Sequence, residues 1–330
     1  MEFRTIVDIE KPGFEIEPCE EMLFVGSCFA DNIGARFEEE KFRTTVNPFG
    51  VMYNPASILH TVEILSTRDI QSHLHCDCTL FPNLPFGSAA RPVLEFVKTA
   101  FFTLGTNHVY RLKETGEIVD NCQKRPQSLF TEEELSVDEC ADYLQRAIDI
   151  LRQHNPDVHV VLTVSPIRYR KYGYHGSQLS KATLLLAVDK VIDQTTPSPS
   201  RSALPLGLSK NSGGELSNQV LPLSRGSQKG SEQVTYFPAY EIVNDELRDY
   251  RFYAEDMLHP SSQAVEYIWE RLSEVYLSDD AKAFIKDWQP LKAALNHKAF
   301  NPDSQEYRIF IDKTMLKIAE LQKKYPNFAL

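Results

Sequence analysis

Short, continuously apolar runs alternate along this chain with longer segments in which apolar residues recur every three or four positions. The runs cover residues 21–26, 98–104 and 159–164. Strands that are apolar on both sides are buried on both faces of a sheet, whereas a spacing of three or four is typical of amphipathic helices. The pattern therefore predicts an α/β protein whose parallel sheet is covered by helices.

The helical pattern is strongest near the carboxyl end, where Val265, Ile268 and Leu272 lie on one stripe. The helices predicted from such spacing cover residues 30–42, 138–153, 181–192, 261–277 and 312–324. Because helices alternate with strands, right-handed crossovers connect the parallel sheet, and the predicted architecture is three-layer α/β/α. Ligand sites in such sheets form at the carboxyl ends of the strands.

One domain is predicted to span residues 1–279, with residues 280–330 as a helical C-terminal extension packed on it. Residues 195–233 interrupt the domain, because they are rich in Ser, Gly and Pro and show neither a helical nor a strand period. This composition predicts a flexible insertion. A tolerated surface insertion, a lid and a partner-docking segment are all consistent with it.

Composition and charge narrow the possible partners. The chain has 42% hydrophobic and 25% charged residues, as ordinary globular proteins do. Its net charge of −11 leaves no excess of Lys and Arg to neutralise phosphates, which argues against nucleic acid. No apolar run is long enough for a membrane span, and the first residues lack a secretory signal pattern. The six cysteines are thus expected to be reduced, in a cytoplasmic protein with no membrane partner.

Two neighbouring nucleophiles, Ser27 and Cys28, follow the first predicted strand and precede a predicted helix. A cysteine at a helix N-terminus is expected to have a lowered pKa, because the helix dipole favours the thiolate. Farther along, Asp256 stands three residues before His259. Its carboxylate can hold one imidazole nitrogen while the other nitrogen faces a nucleophile. These are groups that acyl transfer requires.

Together with Gly50 in NPFG and with Gly105-Thr106-Asn107-His108, these positions resemble the four ordered blocks of SGNH, or GDSL-type, hydrolases. Those blocks are G-D-S, a glycine, G-x-N-D and D-x-x-H. More narrowly, the chain resembles the GSCFA family, which is named for the string at residues 26–30. Further segments that fit this family are TVNPFGVMYNP, NCQKRPQSLF, SKATLLLAV and YFPAYEIVNDELRDYRFYAEDMLHP.

The resemblance implies a flavodoxin-like, SGNH-hydrolase-like sheet and assigns a role to each block. Aligned without gaps on G-D-S, Cys28 takes the place of the nucleophilic serine, and Ser27 is its rival if the turn is shifted by one residue. His259 would shuttle the proton, and Asp256 would orient its ring. The oxyanion would be held by the backbone amides of Cys28 and Gly50 and by the Asn107 side chain.

The expected function is therefore that of a hydrolase or acyltransferase, with no cofactor and no metal, acting on an acyl ester, thioester or amide. By analogy the substrate is a small molecule or carbohydrate that carries a short acyl group. The alternative is a catalytically inactive SGNH-fold protein that binds a glycan or acyl metabolite. It is kept open because Cys28 and His108 replace the serine and the third-block aspartate of the superfamily.

Two other interpretations also stay open. Asp256 and His259 could simply cap the following helix, which Pro260 would open. A metal site could be built from four ligands in SHLHCDC, although no second ligand pair follows at the usual distance. These four ligands are His73, His75, Cys76 and Cys78.

Overall fold

The computed structural model describes residues 4–67, 93–120, 125–195, 233–298, 300–301, 303–328 and 330. Its strands are β1 (Glu21–Gly26), β2 (Arg43–Val46), β3 (Thr99–Leu104), β4 (His108–Leu112), β5 (Ile118–Val119), β6 (Phe130–Glu134), β7 (His159–Val164) and β8 (Val234–Tyr236). Its helices are α1 (Cys28–Glu39), α2 (Pro55–Ser66), α3 (Val93–Phe96), α4 (Val137–His154), α5 (Gly173–Thr195), α6 (Ala239–Glu241), α7 (Ser262–Tyr276), α8 (Asp279–Leu295) and α9 (Gln305–Lys324).

A five-stranded, wholly parallel sheet forms the centre, in the order β2-β1-β3-β7-β8. Counted among these five strands alone, the order is 2-1-3-4-5, which is the flavodoxin-like arrangement. The central pairing of β1 with β3 puts Gly26 opposite Thr103. The predicted parallel α/β sheet is therefore confirmed, and two of the motif-bearing loops leave it side by side.

Successive residues of each strand point to opposite faces of the sheet and enter different cores. Leu23 and Val25 of β1 pack in one core with α2, α4 and α5, whereas Met22 and Phe24 pack in the other with α1 and α7. Helices thus cover both faces, and the three layers predicted from the apolar runs are present.

The predicted elements are found, but two helices begin earlier than their apolar stripes indicate. Helix α1 begins at Cys28 rather than at residue 30, because the Ser27 side chain caps it. Helix α5 begins at Gly173 rather than at Lys181. Its first turns bury Ser177 and Ser180, so the early part of the helix carries no apolar stripe that a sequence pattern could detect.

The sequence pattern did not predict a second, antiparallel sheet, with the order β5-β4-β6, which follows β3 directly. It was missed because β5 has only two residues and β6, which reads FTEEE, is polar. This small sheet continues the loop that carries Asn107, since His108 is already the first residue of β4.

The carboxyl-terminal region is helical and contacts the end of α1. The Trp288 indole on α8 donates a hydrogen bond to the Glu39 carbonyl at 3.0 Å. Lys292 forms ion pairs with Glu39 and Glu40 at 3.0 and 2.9 Å. Helix α9 contains the predicted helix 312–324 and shares an apolar cluster with α8.

The predicted insertion at 195–233 lies, apart from its two ends, outside the described residues. No helix in the described part of the chain is long and apolar enough to cross a membrane.

The backbone at the end of β1 requires glycine, and replacing Gly26 by alanine is expected to destabilise the folded protein. Gly26 has a φ of +150°, and a Cβ atom there would lie 2.2 Å from the Thr103 carbonyl oxygen. We expect Gly26→Ala to lower the free energy of unfolding by more than about 3 kcal/mol. Urea unfolding measures this change.

Gly116→Ala is the matched control, because Gly116 also has a positive φ, of +75°, but no atom lies within 4 Å of its Cβ position. Its expected loss is only about 1 kcal/mol, from backbone conformation alone. Equal losses in the two variants would contradict the steric explanation.

Candidate functional site

The turn between β1 and α1 places the two candidate nucleophiles in different environments. Ser27 is buried, its amide donates to the Thr103 carbonyl at 3.0 Å, and its Oγ accepts from the Phe29 amide at 3.3 Å as the cap of α1. Cys28 is the first residue of the helix, and its free thiol is half-buried. Of the two, Cys28 is therefore the better placed to meet a substrate.

The Cys28 thiol is not activated in the way the sequence suggested. Burial raises its pKa, hydrogen bonding with the Tyr53 hydroxyl offsets part of that rise, and the Asp31 carboxylate adds to it. The expectation that the helix N-terminus lowers this pKa is wrong, because loss of hydration outweighs the dipole. A thiol in this state needs a base to become a nucleophile.

Asn47 holds the second motif block against the nucleophile turn. Its Oδ1 accepts from the Gly26 amide at 2.8 Å, and its Nδ2 donates to Asp31 at 2.6 Å. Gly50, the predicted oxyanion donor, follows in the same loop with a φ of +90°. The Gly50 amide donates to the Asn47 carbonyl at 2.8 Å, so its hydrogen is already used within the loop.

The third block also lies beside the nucleophile turn. The amides of Gly105 and Thr106 donate to the Tyr53 carbonyl at 2.8 and 2.9 Å. Asn107 is buried, and its Nδ2 donates to the Leu135 carbonyl at 2.7 Å. Its Oδ1 has no hydrogen-bond partner among the described residues. The Asn107 side chain therefore directs one amide hydrogen into the protein rather than toward a substrate.

Asp256 and His259 form a close pair on the loop that leads into α7. The Asp256 carboxylate accepts from His259 Nδ1 at 2.5 Å and from the backbone amides of Leu258 and His259 at 2.9 and 3.0 Å. The backbone hydrogen bond from His259, then its ring and the Leu258 amide, lower the pKa of Asp256 to about 2. With Nδ1 as the donor, the assigned tautomer leaves Nε2 as an acceptor.

The capping interpretation of this pair is wrong, because a different residue caps α7. The Ser261 side chain accepts from the Ala264 amide at 3.3 Å. Both side chains of the Asp256–His259 pair are half-exposed. The pair thus contributes no side-chain cap to the helix.

The loop after β7 contacts both halves of the site. The Arg168 amide donates to the Leu258 carbonyl at 3.0 Å, within the loop that carries the Asp256–His259 pair. The ring of the next residue, Tyr169, lies 6.3 Å from the ring of Tyr53, which contacts Cys28. In the described part of the chain, no hydrogen bond joins His259 directly to Ser27 or Cys28.

Lys181 is a buried charged residue that the sequence analysis did not assign to the site. It lies on α5 and is 2% exposed, and its Nζ donates to the Gly105 carbonyl at 2.7 Å. Burial lowers its pKa to about 7. The signal was available, since Lys181 falls on the same stripe as the buried Leu184 and Val188. A lysine on an apolar stripe indicates a special role.

No set of three or more His, Cys, Asp or Glu side chains within the described residues is placed to hold a metal ion. The cluster of His73, His75, Cys76 and Cys78 lies outside those residues. The described cysteines, Cys19, Cys28 and Cys140, are free thiols.

Burial of Lys181 predicts a specific dependence of stability on pH. Between the folded pKa near 7 and the ordinary value of 10.5, the unfolded chain binds more protons than the folded one. The free energy of unfolding therefore rises with pH in this window. Lys181→Met lacks this contribution. As the pH is raised from about 6 to about 9.5, the melting temperature of the wild type should therefore rise relative to that of the variant by roughly 3 °C or more.

Lys190→Met is the control, because Lys190 lies exposed on the same helix and pairs with Asp138 at 2.7 Å. Its melting temperature should follow that of the wild type across the same range. A gap between the wild type and Lys181→Met that stays constant with pH would contradict the prediction.

Two family profiles match most of the chain. A profile of the GSCFA family matches residues 21–80, 87–199 and 214–272, and a profile of the GSCFA domain protein C-terminal domain matches residues 288–330. No curated protein matches the chain.

Solved structures resemble the chain only distantly. A carbohydrate esterase family 3 protein from Talaromyces cellulolyticus is 10% identical over 81% of this chain and 99% of its own, with a TM-score of 0.39. An acetyl esterase mutant with an acetate ion is also 10% identical over the same shares, with a TM-score of 0.38. Such scores assign no activity. The family profile, in contrast, covers most of the chain, including the Cys28 turn and the Asp256–His259 pair, and the chain therefore belongs to the GSCFA family.

Proposed function

We propose that this chain is an SGNH-type acyl hydrolase or acyltransferase that forms a covalent thioester on Cys28 and needs no cofactor. The observation that carries the proposal is the Asp256–His259 pair, with its 2.5 Å contact and an Nε2 left to accept a proton. A half-buried thiol at a helix N-terminus, linked to this pair through residues 168 and 169, supports it. A nucleophile, a base and a group that orients the base are the three parts of a catalytic triad.

The proposed reaction has only two reactants, the acyl donor and its acceptor. His259 Nε2 takes the thiol proton as the Cys28 sulfur attacks the acyl carbonyl carbon. The bond between that carbon and the leaving group breaks, and the imidazolium gives its proton to the departing alcohol, amine or thiol. Water or an acceptor hydroxyl then loses a proton to His259 and attacks the thioester, which releases the acyl product and restores the thiol.

The electrostatics of the pair fit this cycle. Asp256 has a pKa of about 2, so it stays ionised at neutral pH and stabilises the imidazolium that forms at each step. The raised pKa of the Cys28 thiol means that the sulfur is protonated before attack. In the proposed cycle, the Cys28 thiol therefore loses its proton to His259 only as it attacks a bound substrate.

The proposed substrate is a small molecule or carbohydrate that bears a short acyl group, and the proposed location is the cytoplasm. These assignments rest on the resemblance of the motif blocks to SGNH hydrolases and on the composition of the chain.

The second candidate is a binding protein that has lost turnover. The observation in its favour is that the two predicted oxyanion donors, the Gly50 amide and Asn107 Nδ2, both donate hydrogen bonds within the protein. The carbonyl of a bound acyl group would then lack the Gly50 amide hydrogen and one of the two Asn107 Nδ2 hydrogens as donors.

Brief exposure to p-nitrophenyl acetate, followed by intact-protein mass spectrometry and peptide mapping, separates the two candidates. We expect one acetyl group, on Cys28, and none in Cys28→Ala. His259→Ala should slow acetylation by about a hundredfold or more, because general base catalysis contributes at least that much. Absence of any adduct would favour the binding protein, and an adduct on Ser27 would move the nucleophile by one residue.

His60→Ala is the matched control for His259→Ala. His60 pairs with Asp120 at 2.6 Å, so it is another close histidine–carboxylate pair, but it lies on α2 outside the motif blocks. Acetylation at the wild-type rate is expected in this variant. A folded His259→Ala protein that is acetylated as fast as the wild type would refute the proposed mechanism.

A further inference from the structure

The proposed mechanism needs hydrogen-bond donors to the oxyanion, and the structure uses part of the predicted set within the protein. A tetrahedral intermediate places negative charge on the former carbonyl oxygen, and one missing donor costs such reactions about a hundredfold to a thousandfold. Three donors were predicted, but the Gly50 amide donates to Asn47 and one of the two Asn107 Nδ2 hydrogens is given to Leu135. The Cys28 amide, whose hydrogen bonding lowers the pKa of its own thiol, is the predicted donor that stays beside the sulfur.

Tyr53 brings a hydroxyl group to the Cys28 sulfur. The two side chains hydrogen bond with each other, which affects the pKa of both. The Tyr53 ring and Ser27 both lie next to Gly105. A Cβ atom added to Gly105 would be 3.4 Å from Ser27 Cβ and 3.5 Å from Tyr53 Cδ1. Tyr53 is thus a direct neighbour of the nucleophile turn.

The backbone at Tyr53 is held by hydrogen bonds on both sides. Its carbonyl accepts hydrogen bonds from Gly105 and Thr106 at the end of β3. The next residue, Asn54, caps α2 by accepting from the Ser57 amide at 2.9 Å. The phenol is therefore held between a strand end and a helix start, which is the preorganisation that a catalytic donor needs.

The hydroxyl is also in the correct protonation state. Burial, with the neighbouring Cys28 as the next cause, raises the pKa of Tyr53 to about 12. The group stays protonated at neutral pH and can donate to a negative charge.

We propose that Tyr53 is a catalytic residue of this site. Its hydroxyl donates a hydrogen bond first to the Cys28 thiolate and then to the oxyanion of the tetrahedral intermediate. This inference rests on the proposed function. In the tetrahedral intermediate the oxyanion is only two bonds from the Cys28 sulfur. A hydroxyl group beside that sulfur can therefore rotate from the thiolate to the oxyanion. No proton leaves Tyr53 at any step, and only the acceptor of its hydrogen bond changes.

Tyr53→Phe removes this hydroxyl and keeps the ring. With p-nitrophenyl acetate we expect the rate of Cys28 acetylation at saturating ester to fall about a hundredfold, and the ester concentration at half-saturation to change little. Tyr276→Phe is the control, because it also removes a buried hydroxyl: Tyr276 is the last residue of α7, at the end opposite the His259 loop, and its hydroxyl hydrogen bonds with Thr235 of β8 at 3.1 Å. It should leave acetylation unchanged, and melting curves verify that both variants are folded.

A second measurement does not depend on catalysis. The rate of Cys28 alkylation by iodoacetamide, followed by peptide mapping across pH, reports the pKa of the thiol. Loss of a donor to the thiolate should raise this pKa by about one unit in Tyr53→Phe and leave it unchanged in Tyr276→Phe.

The two measurements distinguish the possible failures. If the wild type is not acetylated at all, the proposed function is wrong, and the alkylation profile alone decides whether Tyr53 donates to Cys28. If the wild type is acetylated and Tyr53→Phe matches it in both measurements, the inference about Tyr53 is overturned while the proposed function stands. A shifted alkylation profile with an unchanged acetylation rate would refute the oxyanion role.

Discussion

The parallel pairing of β1 with β3 is the constraint on which the candidate site depends. It puts Gly26 opposite Thr103, so closely that no side chain fits at Gly26, and the Ser27 amide then bonds to the Thr103 carbonyl. The loop that follows β3 consequently starts beside the nucleophile turn, and Gly105 packs on Ser27. Cys28 and Tyr53 meet because these two strands end together.

Buried polar groups hold the loops around this point. Asn47 bonds to Gly26 and to Asp31, and Lys181 bonds to the Gly105 carbonyl. Each is costly to bury, since an amide or ammonium group loses its hydration. Loops exposed at a sheet edge have few apolar contacts of their own, so hydrogen bonds of this kind determine their shape. Lys181 shows the cost directly, because its pKa falls to about 7.

The sequence was sufficient to predict the sheet, because apolar strands and amphipathic helices leave local patterns. The strands at residues 21–26 and 159–164 were predicted with their observed bounds. The motif order also indicated which loops would meet. It could not indicate where Asn107 Nδ2 would donate, because Leu135 is a partner that only the fold brings near. Such a partner is tertiary information, and the role proposed for Tyr53 could not be predicted from the sequence for the same reason.

The state of the Cys28 thiol shows why position on a helix was a poor guide to reactivity. A helix N-terminus stabilises a negative charge by about 0.3–1 kcal/mol, which is less than about one pKa unit. Burial can shift a pKa by several units, so desolvation prevails, and the Asp31 carboxylate acts in the same direction. A neutral thiol suits a site that includes a histidine with an ionised partner. In the mechanism we propose, charge develops on sulfur only as His259 becomes an imidazolium, and Asp256 and the Tyr53 hydroxyl stabilise the two charges that form together.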